Sequence, residues 1–347
     1  MTTPSIADAA PLTATDRAHT ALSHFCAPDG NPWQVALQPT AQQRVERPFS
    51  VLSWHRVVGP DVDARIVVKA GKTNRRPRED DEMHEARAAR ALAAVFAGFP
   101  GLGVIEPLRT YPELGVVITE AVQARSLGVL IEAEAGYWPS QRTRAFLERG
   151  CTLAGQWLRR LHTARPAATP WTIAELREDL MLRVRLLQAF PRLYGMPPQL
   201  ASDIERWLDR CLAAATAADL GCSLTHRDYS PSNMLYDGRA LWVLDFTTVR
   251  EAPRLLDVTR FLHQIDLLAV KPRYRAATRQ RLQTAFLTGY ADPGLTTSPM
   301  VPVFMARHAL AHWLGTARRL RKRRALASGL LTVRLHRNTL EGCLTPD

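Results

Sequence analysis

Two carboxylates and one carboxamide, Asp228, Asp245 and Asn233, stand in the run Thr225-His226-Arg227-Asp228-Tyr229-Ser230-Pro231-Ser232-Asn233 and, twelve residues on, in Leu244-Asp245-Phe246. These residue types suit phosphoryl transfer. A carboxylate can orient an acceptor hydroxyl and take its proton as the new bond forms, and Asp228 is the candidate for that part. Two hard oxygen ligands can hold Mg²⁺ against a triphosphate whose charge would repel an attacking oxygen. Asn233 and Asp245 supply them.

A second pair lies upstream. Lys69 follows the apolar run Ile66-Val67-Val68, and Glu85 comes sixteen residues later in a helical pattern. A lysine leaving a strand can neutralise α- and β-phosphates, and a glutamate on a helix can fix its direction. The chain has only four lysines (Lys69, Lys72, Lys271 and Lys322), so one at this position carries information. His226 reads as an inward-facing structural histidine, and Asp257 and Arg227 as structural rather than catalytic.

The elements that must carry these residues follow from periodicity. Residues 1–30 are rich in Ala, Thr and Pro without a sustained period and read as a tail. WQVAL (33–37) reads as a short strand, and QPTAQQRVER (38–47) as a connection. PFSVLSWHRVV, the turn GPDVD and ARIVVKA form a hairpin signal. A polar stretch, GKTNRRPREDD, precedes a helix in which Met83, Ala86, Ala89, Leu92, Ala93 and Phe96 recur at helical spacing. VIEPLRTY, PELG and VVITEAV make a second hairpin. Beyond about residue 125 the helical period dominates, broken at 222–246 by CSLTHRD, NMLYDG and ALWVLDF. Trp242-Val243-Leu244 is a short apolar strand leading into Asp245. The expected fold is α+β with a small antiparallel β-rich lobe and a larger, mainly helical one. Its expected divisions are a tail (1–30), a nucleotide-binding lobe (31–122) and a helical lobe with the catalytic loop and acceptor site (123–347).

The segments HRDYSPSNML…LDF, VVKA and HEARAARAL resemble those of the aminoglycoside phosphotransferase and choline kinase-like family, which has the protein-kinase fold. The resemblance spans about residues 33–265. It implies ATP and Mg²⁺ as cofactors, Asp228 as catalytic base, Asn233 and Asp245 as Mg²⁺ ligands, and Lys69 as the phosphate-binding lysine with Glu85 as its partner. It also implies a hinge at Thr119-Glu120-Ala121-Val122, where the Glu120 carbonyl and the Val122 amide meet adenine. Asp257, in LLDVTRF, matches an aspartate that braces the catalytic loop. The chain departs from the family pattern at Arg227 and Thr247, where Gly is usual or common. Two further departures are the glycine-free PTAQQRVER segment and the long, charged stretch before the Glu85 helix. Only ten residues separate Phe246 from Asp257, which leaves no room for the long activation loop of a protein kinase.

Composition narrows the setting. Of the 347 residues, 46% are hydrophobic and 22% charged, an ordinary globular balance. The N-terminus has neither a basic n-region nor an apolar h-region, and no run approaches the ~18 apolar residues of a membrane span. The five cysteines form no CxxC pair and have no histidine at zinc-ligand spacing, so reduced thiols in a cytoplasmic protein are expected. From residue 271 onward stand fourteen basic residues against three acidic ones, nearly the whole net charge of +12. Residues 318–324 are the densest cluster. It reads as a solvated helix face or as a peripheral contact for anionic surfaces, whereas the lack of interleaved aromatic residues disfavours nucleic acid. The expected activity is transfer of the γ-phosphate of ATP to a hydroxyl of a small, neutral or anionic metabolite or sugar. The alternatives are a kinase of a larger cell-envelope sugar or protein acceptor, and a nucleotide-binding pseudokinase.

Overall fold

The computed structural model describes residues 12–47, 50–72, 81–167, 171–322 and 326–344. Most of the polar stretch before the Glu85 helix (residues 73–80), together with Arg323 and Arg324 of the basic cluster, lies outside them. The chain divides into two compact units. The first runs to Ala97 and includes Val104–Ala124 and Leu244–Thr247; the second holds Gly98–Gly103, Arg125–Val243 and the residues from Thr248 onward.

The first unit begins with α1 (Ala14–Cys26) where a tail was expected. Thr13 caps it, accepting from the Asp16 amide while the Asp16 carboxylate accepts from the Thr13 amide. This reciprocal cap starts the helix. Its buried face mixes Arg17 and two alanines with only Leu22 and Phe25, which is why the period was inconspicuous. Ala18, Ala21, Leu22 and Phe25 pack with Leu37, Val57, Ile66, Val68, Ala70, Tyr111, Val116 and Ile118 into one core. The buried Arg17 donates to the carbonyls of Leu114 and Gly71, tying the helix to the sheet.

That sheet comprises β1 (Gln38–Glu46), β2 (Ser50–Gly59), β3 (Val62–Gly71), β5 (Pro107–Tyr111) and β6 (Val116–Glu120). Its order is β1-β2-β3-β6-β5, and the pairings are antiparallel. Two sequence expectations are corrected here. WQVAL (33–37) is not a strand, because its large residues fold back onto α1 and the core instead of pairing. The expected connection 38–47 is itself strand β1, exposed along nearly its whole length, so no apolar alternation announced it. In β3, Ile66, Val68 and Ala70 face the α1 core, and the period of two turns Val67 and Lys69 to the opposite face. Helix α2 (Asp81–Phe96) packs against β5 and β6, burying Ala86, Ala89, Leu92 and Phe96 as the spacing predicts.

The second unit carries short strands β4 (Leu102–Val104), β7 (Arg125–Ser126), β8 (Cys222–Thr225), β9 (Met234–Tyr236), β10 (Leu241–Val243) and β11 (Arg250–Pro253). Its helices are α3 (Leu127–Glu134), α4 (Gln141–Ala164), α5 (Ile173–Gln188), α6 (Pro198–Ala213), α7 (Leu255–Asp266), α8 (Ala276–Tyr290), α9 (Pro293–Thr296), α10 (Val301–Arg321) and α11 (Leu326–Leu344). None of the described helices is long and apolar enough to cross a membrane. The most intimate helix pair is α4 with α8. A Cβ added at Gly155 would meet the backbone of Phe286 and Tyr290, and one at Gly289 would strike the Thr152 carbonyl. Only glycine permits this approach.

The same helix pair leads to a buried carboxylate. His162 of α4 bonds through Nδ1 to the Tyr290 hydroxyl of α8 (2.9 Å) and through Nε2 to Asp257 Oδ2 of α7 (3.3 Å). Asp257 is fully buried and also accepts from the backbone amides of His226 (2.6 Å, Oδ2) and Arg227 (2.7 Å, Oδ1). Burial pulls the His162 pKa below the ordinary value, against the opposing pull of Asp257.

Two outcomes follow. Gly289→Ala is expected to lower stability by about 1–3 kcal/mol through overpacking, while Gly294→Ala, whose added Cβ meets open space save for Asp292 Oδ1 at 3.8 Å, leaves the thermal midpoint unchanged. Asp257→Asn replaces one acceptor oxygen by a donor and strands a buried amide, a loss of about 1–3 kcal/mol in chemical denaturation. An Asp257→Asn variant as stable as wild type would show that the loop is held by other contacts.

Candidate active site

Strands β8 and β11 pair antiparallel with Thr225 opposite Arg250, and the Thr225 hydroxyl donates to the Arg250 carbonyl (2.8 Å). From this anchor the chain enters a loop containing Asp228. Arg227 sits in the left-handed region at φ 66°. The amides of His226 and Arg227 converge on the one Asp257 carboxylate, and the left-handed turn comes directly after them, sending the chain toward Asp228. That turn explains why the position suits glycine, which adopts a positive φ without the steric penalty an arginine bears. His226 is fully buried, edge-on to the Tyr229 ring with centroids 5.7 Å apart, and the Tyr229 hydroxyl donates to the Ala154 carbonyl (2.6 Å). Both residues are core pieces under the loop.

Asp228 stays accessible, with 42% of its side chain exposed. Arg260 of α7 donates to its Oδ1 through Nη2 (2.7 Å) and Nε (3.2 Å). Asn233 Nδ2 donates to Oδ2 (3.1 Å) and to the Asp228 carbonyl (3.0 Å). The carboxylate is thus held from both sides. Arg260 was missed in the sequence; its signal was the three-residue offset from Asp257, which puts both on one face of α7. A 3₁₀ turn, Pro231–Asn233, leads from the loop into β9. The β9–β10 hairpin closes on Asp237, whose Oδ1 accepts from the amides of Arg239 (2.7 Å) and Ala240 (2.8 Å).

Asp245 follows β10 and belongs to the first unit's short segment Leu244–Thr247. Its φ is 64°, and its Oδ1 accepts from the Thr247 hydroxyl (2.8 Å). The positive φ lies at Asp245 and not at Thr247, so the missing glycine after Phe246 is tolerated. Within the first unit the expected pair is formed: Lys69 Nζ donates to Glu85 Oε2 at 2.7 Å, with side chains 28% and 14% exposed. Glu120 ends β6 opposite Ile66 and is exposed; Val122 lies in the segment beyond it. There the Ala121 amide is spent on the Arg65 carbonyl and that of Ala124 on Val122. The structure therefore joins Asp228 with Asn233 in one unit and Lys69 with Glu85 in the other.

Asn233 and Asp245, each taken by itself, offer an oxygen of the kind a hard cation takes. Asn233 turns its amide nitrogen to Asp228, so its Oδ1 is left as an acceptor, and Asp245 keeps Oδ2 clear of its bond to Thr247. An amide oxygen and a carboxylate oxygen are what Mg²⁺ takes. Beside the loop, Arg227 and Arg250 line an open depression with Trp171, Glu175, Glu178 and Asp179.

The chain is similar in fold to a choline/ethanolamine kinase family protein from Mesorhizobium loti. The two share 16% identity with a TM-score of 0.56 over 96% of this chain and 95% of that one. It is similar also to an amicoumacin kinase solved with AMP-PNP, Ca²⁺ and Ami (14% identity, TM-score 0.56, 89% of this chain and 90% of that one). A third similar structure is a glucosamine kinase (14% identity, TM-score 0.52, 89% and 95%). No curated protein matches the sequence. The model of the Phosphotransferase enzyme family matches residues 57–295, which take in Lys69, Glu85, Asp228, Asn233, Asp245 and Asp257. The chain belongs to that phosphotransferase family, the enzyme class its motifs resemble.

Proposed function

We propose that the chain transfers the γ-phosphoryl group of ATP to a hydroxyl of a small anionic or neutral metabolite, in the cytoplasm where ATP is at hand. The observation that carries this reading is the Asp228 carboxylate. It is exposed to an incoming ligand, yet fixed by Arg260 and Asn233 on a loop pinned to buried Asp257. Asp228 orients the acceptor hydroxyl and receives its proton on the carboxylate as the oxygen attacks. Lys69, aimed by Glu85, binds the phosphates. The segment at Glu120 and Val122 offers a carbonyl and an amide to adenine. Asn233 and Asp245 would hold Mg²⁺, which neutralises the triphosphate when bound.

The depression lined by Arg227 and Arg250 favours an anionic acceptor. Its carboxylates are already engaged: Glu175 in the Thr172 cap, Glu178 with Arg185, and Asp179 with Arg183 and the buried Arg307. Arg227 and Arg250 have no ion-pair partner among the described residues. The C-terminal charge is partly used internally, since Lys271 pairs with Glu132, Arg281 with Glu148 and Arg307 with Asp179. Arg318, Arg319 and Arg321 occupy the last turn of α10, where cations offset the helix dipole, and stay exposed to any anionic surface.

Asp228→Asn is expected to lower kcat by about 10²-fold or more, within the usual worth of general-base assistance, with the apparent KM for ATP little changed. Wild-type turnover in that variant would remove Asp228 from the chemistry. In a panel of sugar phosphates, neutral sugars and aminoglycosides assayed for Mg·ATP consumption, the phosphorylated acceptors should give the highest kcat/KM. Aminoglycoside turnover at or above ~10⁴ M⁻¹s⁻¹, the floor of ordinary enzymes, would overturn the charge reading and leave phosphoryl transfer standing.

A further inference from the structure

Within the second unit, on helices α7, α10 and α11, three histidines converge. His263, His312 and His336 each bring a ring nitrogen within 4.8 Å of the other two. His263 and His336 are 2% and 0% exposed, and His312 is partly buried. His312 Nδ1 and His336 Nε2 lie 2.8 Å apart, close enough for one N–H to be shared between them. His263 Nε2 and His336 Nδ1 are buried with no partner among the described residues. A fourth histidine, His308, stacks on His263 but spends its Nε2 on the Leu256 carbonyl (2.9 Å).

This is a poor way to fill a core. A buried ring nitrogen without a partner loses its water and gains nothing, and a leucine of similar volume would avoid the loss. The arrangement makes sense if each of the three rings turns one nitrogen to a shared ligand. We propose that His263, His312 and His336 form a binding site for a divalent transition-metal ion of the Zn²⁺ type, clamping α10 and α11 onto α7.

The chemistry selects the class of ion. No carboxylate belongs to the cluster, and Arg260 and Arg319 add positive charge around it. A hard cation that needs anionic oxygen has nothing to bind here. Zn²⁺, by contrast, bonds well to neutral imidazole. Burial keeps the rings in that neutral form, with His312 pushed down to about 4 and His336 to about 3. Tetrahedral ligands at the usual Zn–N length stand roughly 3.3 Å apart, so the His312–His336 pair need open by only about half an ångström. The partly exposed side at His312 leaves room for water as a fourth ligand. Because Asp257 and Arg260 lie about two turns and one turn before His263, such a clamp would steady the helix that braces the Asp228 loop.

The test uses the full chain stripped with a chelator and then titrated with Zn²⁺ alone by calorimetry, and with Co²⁺ followed by visible absorption. One equivalent of Zn²⁺ should bind per chain, Co²⁺ should give the intense bands of tetrahedral coordination, and Zn²⁺ should raise the thermal midpoint. His312→Gln and His336→Gln should each weaken binding by about tenfold or more, since even the loss of a group that only supports a ligand costs that much. If His336→Gln fails to fold, the less buried His312→Gln still gives the answer. Absence of stoichiometric uptake by the wild-type chain, or uptake that survives in His312→Gln, would overturn the proposal and leave the three rings as core residues.

Discussion

The loop that presents Asp228 depends on one buried carboxylate. Asp257 accepts two consecutive backbone amides, those of His226 and Arg227. Directly after these two amides the left-handed Arg227 turns the chain toward Asp228. An anion inside a protein is stable only when its hydrogen bonds are satisfied. Here the charge and the loop geometry maintain each other. Asp257 would be an unsupported buried ion without the amides, and the amides would be orphaned without Asp257.

The bracing reaches outward through His162. Its ring connects Asp257 on α7 with Tyr290 on α8 and sits on α4. Gly155 and Gly289 let α4 and α8 approach until backbone meets backbone, which sets the height of the imidazole above Asp257. One turn further along the same face of α7, Arg260 extends to the Asp228 carboxylate. One helix thus fixes the loop from beneath through Asp257 and the Asp228 side chain from the flank through Arg260. Position and orientation of Asp228 come from the same rigid element, the economical way to keep a site in a productive geometry.

Much of this was legible beforehand, for identifiable reasons. Asp228, Asn233 and Asp245 stand in short runs whose types admit few other uses, and Lys69 follows a strand whose period of two was plain. The misses have physical causes too. Helix α1 was read as a tail because its buried face mixes Arg17 and two alanines with only Leu22 and Phe25, although the Thr13–Asp16 cap was on view. Strand β1 was read as a connection because almost none of it is buried. Arg260 left only its three-residue offset from Asp257 as a signal, and the histidine cluster left none. Their meaning lies in which residues of distant helices meet, and periodicity along one helix says nothing about its neighbour.

Strand β1 has a further bearing, on the behaviour of the chain in a crowded solution. It is the outer strand of its sheet, and such a strand offers unpaired amides and carbonyls to any extended peptide, including another copy of itself. Three features blunt this hazard. Pro39 has no amide proton to give, and the bulge between Ala41 and Gln43 breaks the even spacing a new strand would need. Near its end, Arg44 and Glu46 pair with each other at 3.0 Å and set charge along the rim. A strand exposed enough to escape notice in the sequence is, for the same reason, composed so that the sheet stops there.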